Sequence, residues 1–402
     1  MTPPERSLAV IGGGIVGLAC ALRLQAAGYQ VTVIDDDRDV QAASWGNAGH
    51  IATEQGAPLA SWANVRTAPL RLFALGGPLD FRRPWALHGW ILRYLAACAP
   101  RRYRAGCNAL QNLLAEAMPA WRAFAQELGA PDLLHESGHI VCWGTARAAR
   151  KGRAAWQAAD LGTASLIPLE PGWQEHLQRI LARAPVEALA FAGTGQIADH
   201  LRLRELARRR FSALGGQCLA ATARCLERTA NGSWRVNLTD AGEITARQVV
   251  VCAGVRSVEL LEPLGWRTPI VAERGYHLHW SEHDWPQDLP PVVFEDRSVI
   301  ATRFEHGLRL AGFVEYAPRA TPPDPRKWEA LARHARELGL PVRGTPQRWF
   351  GARPTLPDYL PAIGPLPGHE GVFCAFGHQH LGLTLAPITA QRIEAMMQKA
   401  SA

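Results

Sequence analysis

An α/β chain of two interleaved domains is what this sequence predicts: one wound around a parallel sheet, the other α+β on a mainly antiparallel sheet. Three observations predict it. Residues 8–37, LAVIGGGIVGLACALRLQAAGYQVTVIDDD, read as apolar strand, glycine turn, small-residue helix, Gly28 break, second strand and acidic end. Far downstream, Gly215-Gly216 and the apolar run 246–251 ending in Cys252-Ala253-Gly254 return to that character. Between and beyond them, 274–280, 298–303 and 308–313 alternate in strand fashion, as one-sided antiparallel sheets do.

The first unit is Rossmann-like. Gly12 permits the tight turn, Gly14 lets backbone approach a pyrophosphate, and Gly17 removes a side chain where helix and strand touch. Ile15 and Val16 open the helix, whose free N–H groups face phosphate. Asp35 lies 23 positions after Gly12, near the roughly 20 expected of a carboxylate that accepts ribose hydroxyls. Asp36 and Asp37 add negative charge, which argues against a ribose 2′-phosphate. On these residues alone the ligand is FAD or NAD.

A second nucleotide-binding half would bring another helix next. Instead residues 42–51 give a small-residue loop holding Ser44, Asn47, Ala48, Gly49, His50 and Ile51. That departure points away from plain NAD binding, because such a loop can lie along a pyrophosphate and a flat ring, with the Ser44 hydroxyl and Asn47 amide as donors. Helices are expected at 85–99, 108–128, 146–159, 201–214 and 328–338, with a final one beginning near Leu381. Strands are expected at 138–143, 188–191, 218–226 and 246–251, with a hairpin closed by Asn231-Gly232. The expected division is 1–84, 199–265 and 346–402 for the nucleotide domain, 85–198 and 266–345 for the substrate domain.

The 402 residues, 48% hydrophobic, suffice for a large core. Without an apolar run of roughly 18 residues, and with Met1 close before the first strand, the chain reads as cytoplasmic, with no secretory leader. The eight cysteines show neither a CxxC pair nor zinc spacing and read as reduced thiols. A net charge of +7 comes largely from arginine, in runs such as 101–104 and 208–210. No nucleic-acid motif accompanies them, so nucleic acid is not expected as a partner.

Four separated blocks resemble the D-amino-acid oxidase family, in particular its bacterial D-amino-acid dehydrogenase branch. They are Ile11–Asp35, Ser44–Ile51, Val249–Gly254 with Glu273–Leu278, and Trp349–Pro354 through Asp358 and Gly364 to Gly377–Thr384. The resemblance implies FAD, with adenine on the N-terminal unit and the isoalloxazine between the domains. It adds Ala223, Ala253, Gly254, Gly377, His378, His380, Leu381, Gly382, Leu383 and Thr384 to the cofactor-binding set. A helix starting near Leu381 would turn its positive end toward the flavin edge that becomes anionic on reduction.

Arg353 is expected to bind the substrate carboxylate, since a guanidinium fork fixes position and orientation together. Its alternative is a structural pair with Asp358. Tyr276 and His277 either close the substrate pocket or form a half-exposed strand pair. His50 packs on the ring, touches substrate or does neither, and His380 is placed with the catalytic set. No metal is expected, because His378-x-His380 lacks a third ligand at zinc spacing. No dedicated base is evident. The implied reaction oxidises a D-amino or cyclic D-imino acid, such as D-proline or cis-4-hydroxy-D-proline, with a quinone or protein as electron acceptor. The rivals are a glycine- or sarcosine-type oxidase using oxygen, and a flavin-carrying electron-transfer subunit of an oligomer. Residues 82–104, apolar with basic flanks, read either as a buried helix or as a peripheral contact with the inner membrane face.

Overall fold

The computed structural model describes residues 3–36, 42–239 and 242–401; Asp37 lies outside them. Strand Ser7–Ile11 is buried at every position and sits inside a six-stranded sheet. The order is Gln217–Ala220, Gln30–Asp35, Ser7–Ile11, Gln248–Val251, Val372–Phe376 and Ala362–Pro365, parallel until an antiparallel last pairing. Burial on both faces explains the continuous apolar runs at 8–11 and 249–251.

Helix Ile15–Ala26 packs on the C-terminal helix Gly382–Ser401, with Leu18, Leu22, Ala386, Ala390 and Ile393 in one core. Pro387 lies inside that second helix and has no N–H for the Leu383 carbonyl one turn back. The buried Trp121 indole supplies the donor, 3.0 Å from the Leu383 oxygen and 3.1 Å from that of Thr384.

The second sheet has nine strands and is mainly antiparallel. Across it run Gln347–Thr355, Val271–Trp280, Gly307–Ala317, Val299–Phe304, Val292–Phe294, His139–Trp143, Glu187–Ala192 and Ser165–Ile167, with Leu79–Phe81 parallel to Gly307–Ala317. Its core gathers Tyr276, Leu278, Leu310, Phe294, Trp328 and Leu331.

The structure revises several sequence expectations. The stretch 85–99 is a helix only over His88–Ala97, and the next helix starts at Pro100 rather than residue 108, because proline's fixed φ suits a first helical position. It ends at Ala115, and Ala117–Glu127 follows as a separate helix. The strand expected at 218–226 divides into Gln217–Ala220, in the parallel sheet, and Ala223–Arg228, which pairs antiparallel with Trp234–Leu238. Gln347–Thr355, assigned from sequence to the nucleotide domain, pairs instead with Val271–Trp280 in the large sheet. Pro354 disguised it: proline occurs in strands chiefly at sheet edges, and this strand is the edge. The helices Pro100–Ala115 and Ala117–Glu127 lean on the C-terminal helix through Leu110, Leu114, Ala117, Leu381, Leu385 and Ile388.

Candidate active site

One cavity of about 830 Å³ runs from the first glycine turn to the large sheet, within the roughly 300–1,000 Å³ of small-molecule sites. Gly12 adopts φ +108°, where a Cβ would stand 2.4 Å from the Cys252 carbonyl oxygen. A Cβ on Gly14 would come within 2.9 Å of Ser44 Oγ, which accepts from the Ile15 N–H at 3.0 Å. Gly17 stands behind the wall, since its Cβ would lie 1.9 Å from the Gly12 oxygen. Gly12, Gly14, Ile15 and Val16 thus form a backbone cradle at a helix start.

The two acids differ. Asp35 Oδ2 accepts from the Gly13 N–H at 2.6 Å and pins the turn, while Asp36 accepts from Thr222 Oγ1 at 3.2 Å and lies 3.8 Å from Arg256. Both line the cavity, as do Ala223, Ala253 and Gly254. In the loop, Asn47 serves structure: its Oδ1 accepts from Gly49 N and His200 Nε2 at 2.8 and 2.6 Å, and its Nδ2 donates to Ser44 O. One N–H of its amide is thus spent within the loop, and Ser44, Asn47, Ala48 and His50 all line the cavity. Gly49 and Ile51 lie behind, Ile51 fully buried.

From the C-terminal side His378, His380, Gly382 and Leu383 reach the cavity, whereas Gly377, Leu381 and Thr384 support them from behind. Thr384 Oγ1 accepts from Ala52 N at 2.9 Å and ties the loop to the helix start. Burial pulls His378 down to about 3, so its ring is neutral at neutral pH, with Nε2 2.9 Å from Thr389 Oγ1. Gln379 takes φ +45°, and its buried Oε1, in a residue lining the cavity, has no protein partner. His378 and His380 turn to different partners, His380 Nε2 meeting Gln55 Oε1 at 2.5 Å.

Arg353 lies at the other end. It is paired not with Asp358, which accepts from Leu360 N, but with Glu273, directly opposite on the neighbouring strand, at 3.2 Å. Glu273, 1% exposed, also accepts from Thr355 Oγ1 and Tyr359 Oη, each at 3.0 Å. The guanidinium lies over Gly275, where a Cβ would approach Nη2 to 2.3 Å.

Tyr276 and His277 are corrections. Adjacent strand residues point to opposite faces. Tyr276 turns into the core of the second domain, donating to Glu315 Oε1 at 2.8 Å and accepting from Asp324 N. His277 shares Arg353's face but stacks on Trp349, with ring centroids 4.9 Å apart, and its Nδ1 meets the Gly46 oxygen at 2.8 Å. Neither lines the cavity; His277 instead clamps the 42–51 loop onto the sheet.

Sequence reasoning missed Glu273, Glu54, Gln55 and His139, all but His139 inside or beside the quoted blocks. Glu54 is 4% exposed and faces the cavity, with His50 Nε2 3.2 Å from its Oε1. Burial pushes its carboxyl up, but the His50 charge and hydrogen bond, with His139 behind, outweigh this and hold it at about 2. His139 is lowered to about 3 by burial and then by His50, whose ring centroid is 4.6 Å away.

A glycine cradle with carboxylates at one end and an arginine at the other suits an extended dinucleotide with a small anion beside its far ring. The family model "FAD dependent oxidoreductase" matches residues 7–396. A D-amino-acid oxidase of Bradyrhizobium diazoefficiens is 30% identical over 98% of this chain and 96% of that protein. D-amino acid dehydrogenase 2 of Pseudomonas aeruginosa is 29% identical over 94% and 91%. In fold, the chain is similar to iminodiacetate oxidase of Chelativorans sp. BNC1, with TM-score 0.69 and 20% identity over 98% and 95% of the two chains. Glycine oxidase of Geobacillus kaustophilus gives 0.70 and 18% over the same shares. The cradle, the cavity and a match over almost the whole length together place this chain in the DAO family of FAD-dependent oxidoreductases.

Proposed function

We propose that this protein is an amino-acid dehydrogenase that oxidises D-amino or cyclic D-imino acids, with D-proline or cis-4-hydroxy-D-proline preferred, and passes electrons to a quinone or a partner protein. The observation that carries the reading is Arg353, an arginine one-quarter exposed into the cavity and fixed by a buried carboxylate. Bound FAD supplies the hydride acceptor.

The chain's own residues supply the rest. Gly14 and Val16 at the helix start would hold the pyrophosphate, the Gly12 and Ile15 N–H groups being given to Ile34 O and Ser44 Oγ, while Asp35 and Asp36 would hold the ribose and Gly382 and Leu383 the flavin edge. Arg353 fixes the substrate carboxylate, and Glu273 stops the guanidinium from swinging, which preserves the orientation that makes the reaction effectively unimolecular. The neutral His378 adds no charge of its own beside the helix N-terminus, whose dipole favours negative charge.

Two features support an acceptor that docks from outside. Leu70, Leu75, Trp85 and Leu92 are 65–81% exposed, and Arg66, Arg83 and Arg93 lie along the same stretch. Segment 82–104 divides its faces: Leu87, Trp90 and Ala97 turn into the core while Trp85 and Leu92 turn out. Among the described residues no helix is long and apolar enough to cross a membrane.

Anaerobic addition of D-amino acids to the yellow holoprotein tests the reading by bleaching of the visible bands. With an artificial acceptor, D-proline or cis-4-hydroxy-D-proline should outrank D-alanine, and a strong preference for glycine or sarcosine would overturn the substrate assignment. The relatives include proteins named oxidase and dehydrogenase. Peroxide yield per turnover decides between them, with stoichiometric peroxide counting against the proposed acceptor.

A further inference from the structure

Glu54 is a buried carboxylate on the wall of a reaction cavity, and only one of its oxygens is used by the protein. Oε1 meets His50 Nε2 at 3.2 Å and accepts from Gln55 Nε2 at 3.2 Å, whereas Oε2 is buried without a partner. Leaving a buried charged acceptor unmet is costly, so the native complex is expected to bring it a donor.

The His50 contacts fix a proton count. Its Nδ1 lies 3.2 Å from the Gly195 carbonyl, which can only accept, so Nδ1 carries hydrogen. Nε2 therefore faces Glu54 Oε1 across a shared hydrogen at 3.2 Å. The surrounding titratable groups are His139, bonded through Nδ1 to Thr194 Oγ1 at 2.9 Å, and His380, joined to Glu54 through Gln55. His380 also feels the charges of Glu273, Arg353 and Glu54, so both poles act on one ring.

We infer that Glu54, backed by His50, grips the substrate ammonium through Oε2 while Arg353 grips its carboxylate. This rests on the amino-acid reading above and deepens it. The site therefore reads a zwitterion at both poles, and a carboxylate lacking the amine leaves Oε2 unmet. A metal on His50, Glu54 and His139, whose ligand atoms lie within 4.8 Å of one another, would have to break the His50–Glu54 bond.

The test is calorimetric titration of the holoprotein with 2-aminoisobutyrate, which has no α-hydrogen to lose, against isobutyrate, which lacks the amine. Wild type should prefer the amine-bearing ligand at least tenfold, about 1.4 kcal/mol. Glu54→Gln should bring that ratio within twofold while leaving isobutyrate affinity within threefold, and Glu54→Asp should keep most of the preference. Equal affinities in wild type, needing no variant, overturn the inference, as does a preference that survives Glu54→Gln or one zinc or iron per chain in the purified protein. If isobutyrate binds and depends on Arg353 but Glu54→Gln changes nothing, only this inference fails. If neither ligand binds the yellow protein and no amino acid bleaches it, the proposed function falls with it.

Discussion

Replacing Arg353 with alanine separates substrate binding from cofactor binding. A hydrogen bond to a charged group contributes about 1.5–3 kcal/mol, so loss of the carboxylate anchor should raise KM about 10–150-fold. The cofactor should be spared, because the cradle at Gly12, Gly14 and Ser44 is built at the six-stranded sheet whereas Arg353 stands on the large one. The fold should bend rather than break: Glu273 loses one partner but keeps Thr355 and Tyr359, a cost of about 1–3 kcal/mol. The assay is steady-state oxidation of a D-amino acid with an artificial acceptor, run beside a visible spectrum and a thermal melt. Arg353→Lys should fall between, since an ammonium cannot reproduce the planar fork. A KM within twofold of wild type, or a colourless variant, would refute the placement of the substrate at this end.

Four further outcomes are expected. Gly275→Ala should keep its flavin yet raise KM severalfold, because the new Cβ stands 2.3 Å from Arg353 Nη2 and pushes the guanidinium aside; steady-state kinetics check this. Gly14→Val should yield colourless protein, its branches entering the cradle already tight against Ser44 Oγ at 2.9 Å, as absorbance after purification will show. His277→Ala should lower the melting temperature through lost stacking on Trp349 and the lost Gly46 bond, while KM stays within threefold. Stability should fall as pH drops below 6.5: His378, held at about 3 in the fold against an ordinary 6.5, binds its proton more readily unfolded. His378→Gln should make the melting temperature fall less steeply between pH 6.5 and 4, the buried His139, His200 and His277 keeping their share of the slope.

The first domain was legible because its glycines have single steric purposes and its central strands carry continuous apolar runs at 8–11 and 249–251. The arginine was legible through the resemblance, but its partner was not. Asp358 lies five residues away in sequence, while Glu273 is opposite it only once Gln347–Thr355 joins the large sheet, and Pro354 hid that strand. Tyr276 and His277 failed for a related reason. Alternation says that neighbours face opposite ways but not which face the cavity takes, and Tyr276 went to the core. A glycine inside a strand does carry a signal of close approach, and Gly275 marks both a register shift and the seat of Arg353. Glu54 and His139 were silent because their meeting depends on strands far apart in the chain.

The six-stranded sheet has a consequence for how the protein is made. Strand Ser7–Ile11 pairs with Gln248–Val251, which in turn needs Val372–Phe376, and the helix that covers Ile15–Ala26 is the final one. A ribosome working through the gene therefore extrudes an apolar strand whose partner on one side is still hundreds of residues away, with its neighbouring helix bare until the end of synthesis. Such distant pairing slows folding and leaves sticky edges exposed in the meantime. Chains cut short near residue 350 should be captured by chaperones or proteases, and a shortened version comprising only the glycine unit should not fold on its own.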